Sequence, residues 1–165
     1  MIVTVKELSK LYHLNREVEL NMRQLAELEA DCREDEQLLR ELRESIGDCS
    51  SPPLSDMPKA HNVGSPVESM VLRIGQLESN ILRKKNAVMN MRVTISARQT
   101  LCLLERERLE AYIDGIGDSL LRQIFTLRFV NGLSWEQVAA SIGGGNKAES
   151  ARRACYRYLK AHKSE

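Results

Sequence analysis

The stretch from Val67 to Tyr112 constrains this chain more than any other. Its apolar residues Val67, Met70, Ile74, Leu77, Ile81, Val88, Met91, Ile95, Cys102, Leu109 and Tyr112 follow an alternating spacing of three and four, and Lys84, Arg98 and Glu105 fall on the same line. That period winds them into one narrow stripe along a helix. A narrow stripe sustained over so many turns is a coiled-coil seam rather than the broad face of a globular core helix. Ser65-Pro66-Val67-Glu68 opens it, with Ser65 as N-cap, proline at the first helical position and Glu68 closing a capping box. The three charged seam positions mark exposed ends, cross-helix ion pairs or partner contacts.

A seam of this length needs a second helix, and the N-terminal segment supplies one. From Thr4 to Ile46 there is neither proline nor glycine, and Leu8, Leu11, Asn15, Val18, Met22 and Leu25 recur at three and four. The line then resumes as Leu28, Cys32, Leu39, Leu42 and Ile46, which reads as a stutter after Leu25. Asn15 either fixes register or is a polar residue tolerated near a helix end. Between the two helices, residues 47–65 (GDCSSPPLSDMPKAHNVGS) combine Pro-Pro, a further Pro and Gly, and form a connector. Leu54 and Met57 are placed to tuck back onto the hairpin tip, and His61 reads as a solvated loop residue. Folding the two helices into an antiparallel hairpin buries both seams economically; alternatively each seam meets its copy in another chain. The seam residues Leu11, Val18, Leu25, Ile74, Leu77, Ile81, Val88 and Ile95 are therefore the candidate oligomerisation positions. Leu14, Leu20, Leu38, Leu72, Leu82, Leu103 and Leu104 lie on the outer flanks, which favours a homodimer or higher homo-oligomer of side-by-side hairpins.

The composition agrees with helices. Only 4% of the 165 residues are aromatic, and no segment patterns as a sheet. The expected fold is all-α: a first arm helix over 1–46, the connector over 47–65, a second arm helix over 66–113 and a C-terminal head over 114–165. Cys32, Cys49, Cys102 and Cys155 include no C-x-x-C pair and no histidine at ligand spacing, so no metal is expected. Cys32, Cys102 and Cys155 sit on apolar stripes as small buried hydrophobes. No apolar run is long enough to span a membrane and no signal-peptide pattern is present, which together with the cysteines points to a reducing cytoplasm.

The head carries the chemistry. IDGIGD, residues 113–118, breaks the second arm helix with two glycines and reads as a hinge; Asp118 then caps a short helix with a wide stripe of Leu120, Leu121, Ile124, Phe125, Leu127 and Phe129. Asn131-Gly132 stops that helix in the left-handed region. Ser134 with Gln137 forms a capping box for SWEQVAASIG, where Trp135, Val138, Ala139 and Ile142 share a face and Trp135 packs at the turn. After Gly143-Gly144-Gly145, Asn146 with Glu149 has the spacing of a second box. The last helix is basic: Lys147, Arg152, Arg153, Arg157, Lys160 and Lys163 stand against Glu149 alone, although the whole chain nets only +1. On a helical wheel Ala148, Ala151, Cys155, Tyr158 and Leu159 face inward, while Asn146, Glu149, Ser150, Arg153, Arg157 and Lys160 face outward. Tyr156 belongs clearly to neither face, and Arg152 lies on the flank. Two short helices joined by a tight glycine turn are the frame of a helix-turn-helix, whose second helix enters the DNA major groove. Ser150 and Arg153 are expected at base edges, and Lys147, Arg157 and Lys160 at phosphates, with Asn146 beside them. The glycine run lacks the strand and the Gly-Lys-Ser/Thr of a phosphate loop. His13, His61 and His162 are dispersed, no catalytic constellation is present, and neither enzymatic activity nor a cofactor is expected.

The run LLRQIFTLRFVNGLSWEQVAASIGGGNKAESARRACYRYLK resembles the region-4 helix-turn-helix of sigma-70-type factors, in the version found in phage-encoded regulators of the ArpU/RinA type. Leu127, Arg128 and Phe129, the NGLSWEQVA segment, the glycine turn and the Arg-rich last helix carry the likeness, and the proline linker and helical N-terminal half are similar in arrangement. Nothing resembles the sigma region that binds the polymerase clamp and melts the promoter. The resemblance implies a sequence-specific, double-stranded-DNA-binding phage or prophage regulator of late-gene transcription, with host RNA polymerase as a further contact. Two other readings fit such a head on a helical arm: a small terminase-like packaging subunit, and a coiled-coil interaction protein without DNA binding.

Overall fold

The computed structural model describes residues 4–47 and 65–162. The described residues contain no strand, and the fold is all-α. Helix α1 spans Val5–Leu8, α2 Lys10–Gly47, α3 Pro66–Asp114, α4 Ser119–Phe125, α5 Trp135–Ile142 and α6 Ala148–Ala161. The expectations for Cys49, Leu54, Met57, His61 and Lys163 lie outside the described residues.

Pro66 is the first residue of α3 and Glu68 lies in its first turn, as the sequence predicts. A capping box opens α1: the Thr4 hydroxyl accepts from the Glu7 N–H at 3.3 Å, and the Thr4 N–H donates to the Glu7 carboxylate at 2.7 Å. The α2 seam differs from the expected one. Asn15 and Met22 are exposed, whereas Leu14 and Asn21 turn partly inward. From Leu11 the seam therefore runs Leu14, Val18, Asn21, Leu25, Leu28, Cys32, Asp35, Leu39, Leu42 and Ile46 without a stutter. The slip lies earlier, between Leu8 and Leu14, beside the cap residue Ser9 that separates α1 from α2. The asparagine on the seam is Asn21, whose Nδ2 is buried without a partner among the described residues, and not Asn15. On α3 the seam stands as expected except at Val67, which is exposed.

The chain forms two compact units. One comprises Asn21–Thr94. Within it α2 and α3 run antiparallel, because rising numbers on one helix pair with falling numbers on the other: Glu29 with Arg92 at 2.6 Å, Asp35 with Lys84 at 2.7 Å, Glu36 with Lys85 at 2.6 Å, and Glu78 with Arg43. Lys84, a charged seam position, is thus one half of a cross-helix ion pair. Its hydrogen bond to Asp35 raises the Lys84 pKa. Leu25, Ile74, Leu77, Ile81 and Val88 are taken up on the facing sides of these helices, with Cys32 and Ile81 buried.

The other unit joins the described residues up to Leu20 to those from Ile95 onward. Here Leu11, Val18 and Ile95 are buried, and Glu105 pairs with Lys10 at 3.1 Å and with Arg108 at 2.7 Å. Burial pushes the Glu105 carboxyl up, but the hydrogen bonds from Arg108 and Lys10 outweigh it and hold the group below its ordinary value. Arg98 lies 3.8 Å from Glu17. All eight positions assigned to oligomerisation therefore lie at least partly buried where the chain's own helices pair, since a hairpin covers both seams without a second chain. The sequence also placed the head boundary at residue 114. Instead Leu8, Leu11, Leu109 and Ile113 share one core with Ile116, Ile124, Phe125, Phe129, Val130, Val138, Ala151, Cys155 and Leu159. Fully burying each such aliphatic side chain contributes about 1.5–3 kcal/mol, so the start of α2 and the end of α3 are structural parts of the head.

Candidate nucleic-acid interface

The core just described holds α6 in place, and the elements before it set its exposure. IDGIGD is an anchored corner rather than a hinge. Ile116 is buried in the core, and Arg122 Nη1 donates to the Ile116 carbonyl at 2.6 Å. Neither Gly115 nor Gly117 has a positive φ, so their flexibility is not used there. The Asp118 carboxylate accepts from the N–H groups of Leu120 at 2.8 Å and Leu121 at 3.2 Å, capping α4 as expected. Leu120 is exposed and drops out of the expected stripe. Beyond Phe125 the helix widens into a π-helical turn, Thr126–Val130, which brings both Phe129 and Val130 inward. Phe125 is the hub, with ring centroids 6.4 Å from Tyr112, 5.5 Å from Phe129 and 5.7 Å from Tyr158.

The joint between α4 and α5 follows the expected grammar. Gly132 takes φ 71, and Ser134 and Gln137 close both halves of their box, with the Ser134 N–H donating to Gln137 at 2.8 Å. Such a cap contributes about 1 kcal/mol. Arg128, which in the sequence stands out only as part of a motif, is a clamp. Its Nη1 donates to the Leu133 carbonyl at 2.6 Å, and its guanidinium lies 5.1 Å from the centre of the half-buried Trp135 ring.

The second box does not form. Asn146 Nδ2 donates to the Gly143 carbonyl at 3.0 Å, closing the glycine turn, and the N-cap of α6 is Lys147, which makes no side-chain cap bond. Glu149 is thereby free to reach forward along the helix, to Arg153 at 3.0 Å and Arg152 at 3.8 Å.

Helix α6 buries Ala151, Cys155 and Leu159 and half-buries Ala148, Ala154 and Tyr158. The small alanines let it lie close to α5. Burial pushes the Cys155 thiol up to about 12, as suits an inert core residue. On the outer side Asn146, Lys147, Ser150, Arg153, Arg157 and Lys160 are all exposed, so every residue assigned to DNA reaches solvent. Ser150, Arg153, Arg157 and Lys160 follow one another at three- and four-residue steps and form one stripe. Arg153 is held by Glu149; among the described residues Lys147, Arg157 and Lys160 make no ion pair. Tyr156 is half exposed, with Arg152 6.0 Å above its ring. Among the described residues no group of three or more His, Cys, Asp or Glu side chains is placed to hold a metal ion, and no helix is long and apolar enough to cross a membrane.

Comparison of the chain with protein-family models, with curated proteins and with solved structures returns no match.

Proposed function

We propose that this chain is a sequence-specific regulator of transcription that lays α6 in the major groove of double-stranded DNA. The resemblance of its last three helices to the ArpU/RinA-type helix-turn-helix supports a role in late-gene control in a phage or prophage, within the cytoplasm of the bacterial host and in contact with RNA polymerase. Ser150 and Arg153 meet base edges, where an arginine makes a bidentate contact to guanine. Lys147, Arg157 and Lys160 hold phosphates and fix the register, and Asn146 lies at the same end of the helix as Lys147.

One observation carries the reading. The outer stripe of α6 is exposed, cationic and borne on a helix whose opposite face is locked into the core, so the protein presents it without rearrangement. Rigid presentation lowers the ordering cost of binding. Selection of bound fragments from sheared genomic DNA of a lysogenic host tests it. A shared short motif near late promoters is the expected result. Enrichment at packaging sites would favour the terminase-like reading, and no retention of duplex DNA even at low salt would leave an interaction protein.

A further inference from the structure

We propose that the face of α3 turned away from α2, between Val71 and Val93, is where a second copy of this chain packs, antiparallel, about a two-fold axis at Leu82. Within this unit Leu72, Leu82, Met89 and Val93 are all more than half exposed, as is Val71. With Gly75, Ser79 and Asn86 between them, the first four follow a second three-and-four spacing, on the side opposite Ile74, Leu77, Ile81 and Val88. That stripe carries no charge. The outer face of α2 is its opposite in character, exposing Arg33, Glu34, Arg40, Glu41 and Glu44. One side of the hairpin is built for water and the other for a helix.

The face is complementary to itself in the antiparallel sense. With Leu82 on the axis, Leu72 of one copy lies within one residue's rise of Val93 of the other, and Ser79 within one of Asn86, so apolar residues pack beside apolar ones and polar residues beside polar ones. Met89 then falls opposite Gly75. A glycine inside a helix is destabilising relative to alanine, and among the described residues nothing requires this one, since a Cβ there meets no atom within 4 Å. A shallow groove of about 560 Å³ lies over it, lined by Leu72, Gln76, Ser79 and Arg83 among others. An incoming Met89 side chain accounts for both the glycine and the groove. At the rim Glu78 comes opposite Lys85; both already pair with α2 of their own chain, Glu78 with Arg43 and Lys85 with Glu36, so these opposite charges meet without a clash. Arg83 is the one like charge brought near its copy, and its long side chain reaches out to solvent.

The stripe runs about 33 Å and covers roughly 500 Å² per copy, which puts the total near the lower bound for a specific interface. The result is a concentration-dependent dimer. The arm alone makes this contact, whether or not the head binds DNA.

Sedimentation equilibrium of the full chain without DNA, from about 1 to 100 μM, tests it. The parent shows a monomer–dimer equilibrium, and Leu82→Glu weakens it at least tenfold. Gly75→Leu fills the groove and weakens the dimer as strongly, while thermal stability is kept or raised because a good helix former replaces glycine. Circular dichroism confirms that both variants are folded. Under mild oxidation Leu82→Cys cross-links to itself, and Leu72→Cys cross-links to Val93→Cys but not to itself. A monomer throughout, a dimer indifferent to Leu82→Glu and Gly75→Leu, or efficient self-cross-linking of Leu72→Cys overturns the proposal.

Discussion

Gly143 ends α5 with φ 72 and ψ −160, a backbone region that essentially only glycine occupies. Among the described residues a Cβ at this position would meet no atom within 4 Å, so the demand comes from the backbone. Gly143→Ala should therefore destabilise the protein by roughly 1–3 kcal/mol with no steric contribution, measurable by urea denaturation; a neutral substitution would show that the turn relaxes freely. Glu105 differs in kind, being a buried carboxylate on the α3 seam. Its folded pKa lies below its ordinary 4.5, so the stability it contributes is fully present above that value and is lost as pH falls below 4.5 through the depressed folded value. Its partners Lys10 and Arg108 have side chains 60% and 34% exposed, and both stay solvated if the carboxylate is removed. Glu105→Leu should then hold or raise the melting temperature and remove this acid-side loss, whereas Glu105→Ala should cost roughly 2–5 kcal/mol through the cavity it leaves. Equal losses in the two variants would mean that the ion pair itself stabilises the seam.

At the scale of the element, α6 carries its own restraint. Glu149 neutralises part of the basic stripe by bonding Arg153, the residue proposed to read bases. Glu149→Gln should free that guanidinium and remove a charge facing the phosphates. Affinity for any duplex should rise several-fold and discrimination between sequences should fall, which filter binding on operator and scrambled duplexes would show; unchanged binding would mean that this pair does not regulate the helix. The outward face of α6 was legible in the sequence because a short helix with small residues on one side and cations on the other has one way to lie. The α3 seam was legible too, since its apolar residues keep one unbroken phase. On α2 the large apolar Met22 drew the expected seam one position off, and only packing shows that Leu14 and Asn21 turn inward instead. The π-helical turn after Phe125 has no local signature; it follows from the need to bury both Phe129 and Val130. The corner at Ile116 was misread because glycines there suggested motion, while the buried isoleucine and the reach of Arg122 are tertiary facts.

For the whole molecule, the sequence split arm from head at the glycines, but the core of the head draws on Leu8 and Leu11 from the chain's beginning and on Leu109 and Ile113 from the end of α3. No local pattern distinguishes those leucines from seam residues. A head fragment beginning at residue 114 would therefore lack part of its core, and DNA binding belongs to measurements on the full chain. The most direct of these is fluorescence anisotropy on an operator duplex recovered by fragment selection, titrated across salt concentrations for the parent, Arg153→Ala and Arg157→Ala. Log affinity should fall linearly with log salt, Arg157→Ala should weaken all duplexes alike and flatten the slope by about one, and Arg153→Ala should lower discrimination against a scrambled duplex by roughly tenfold. Parent-like slope and discrimination in both variants would contradict the proposed role of α6.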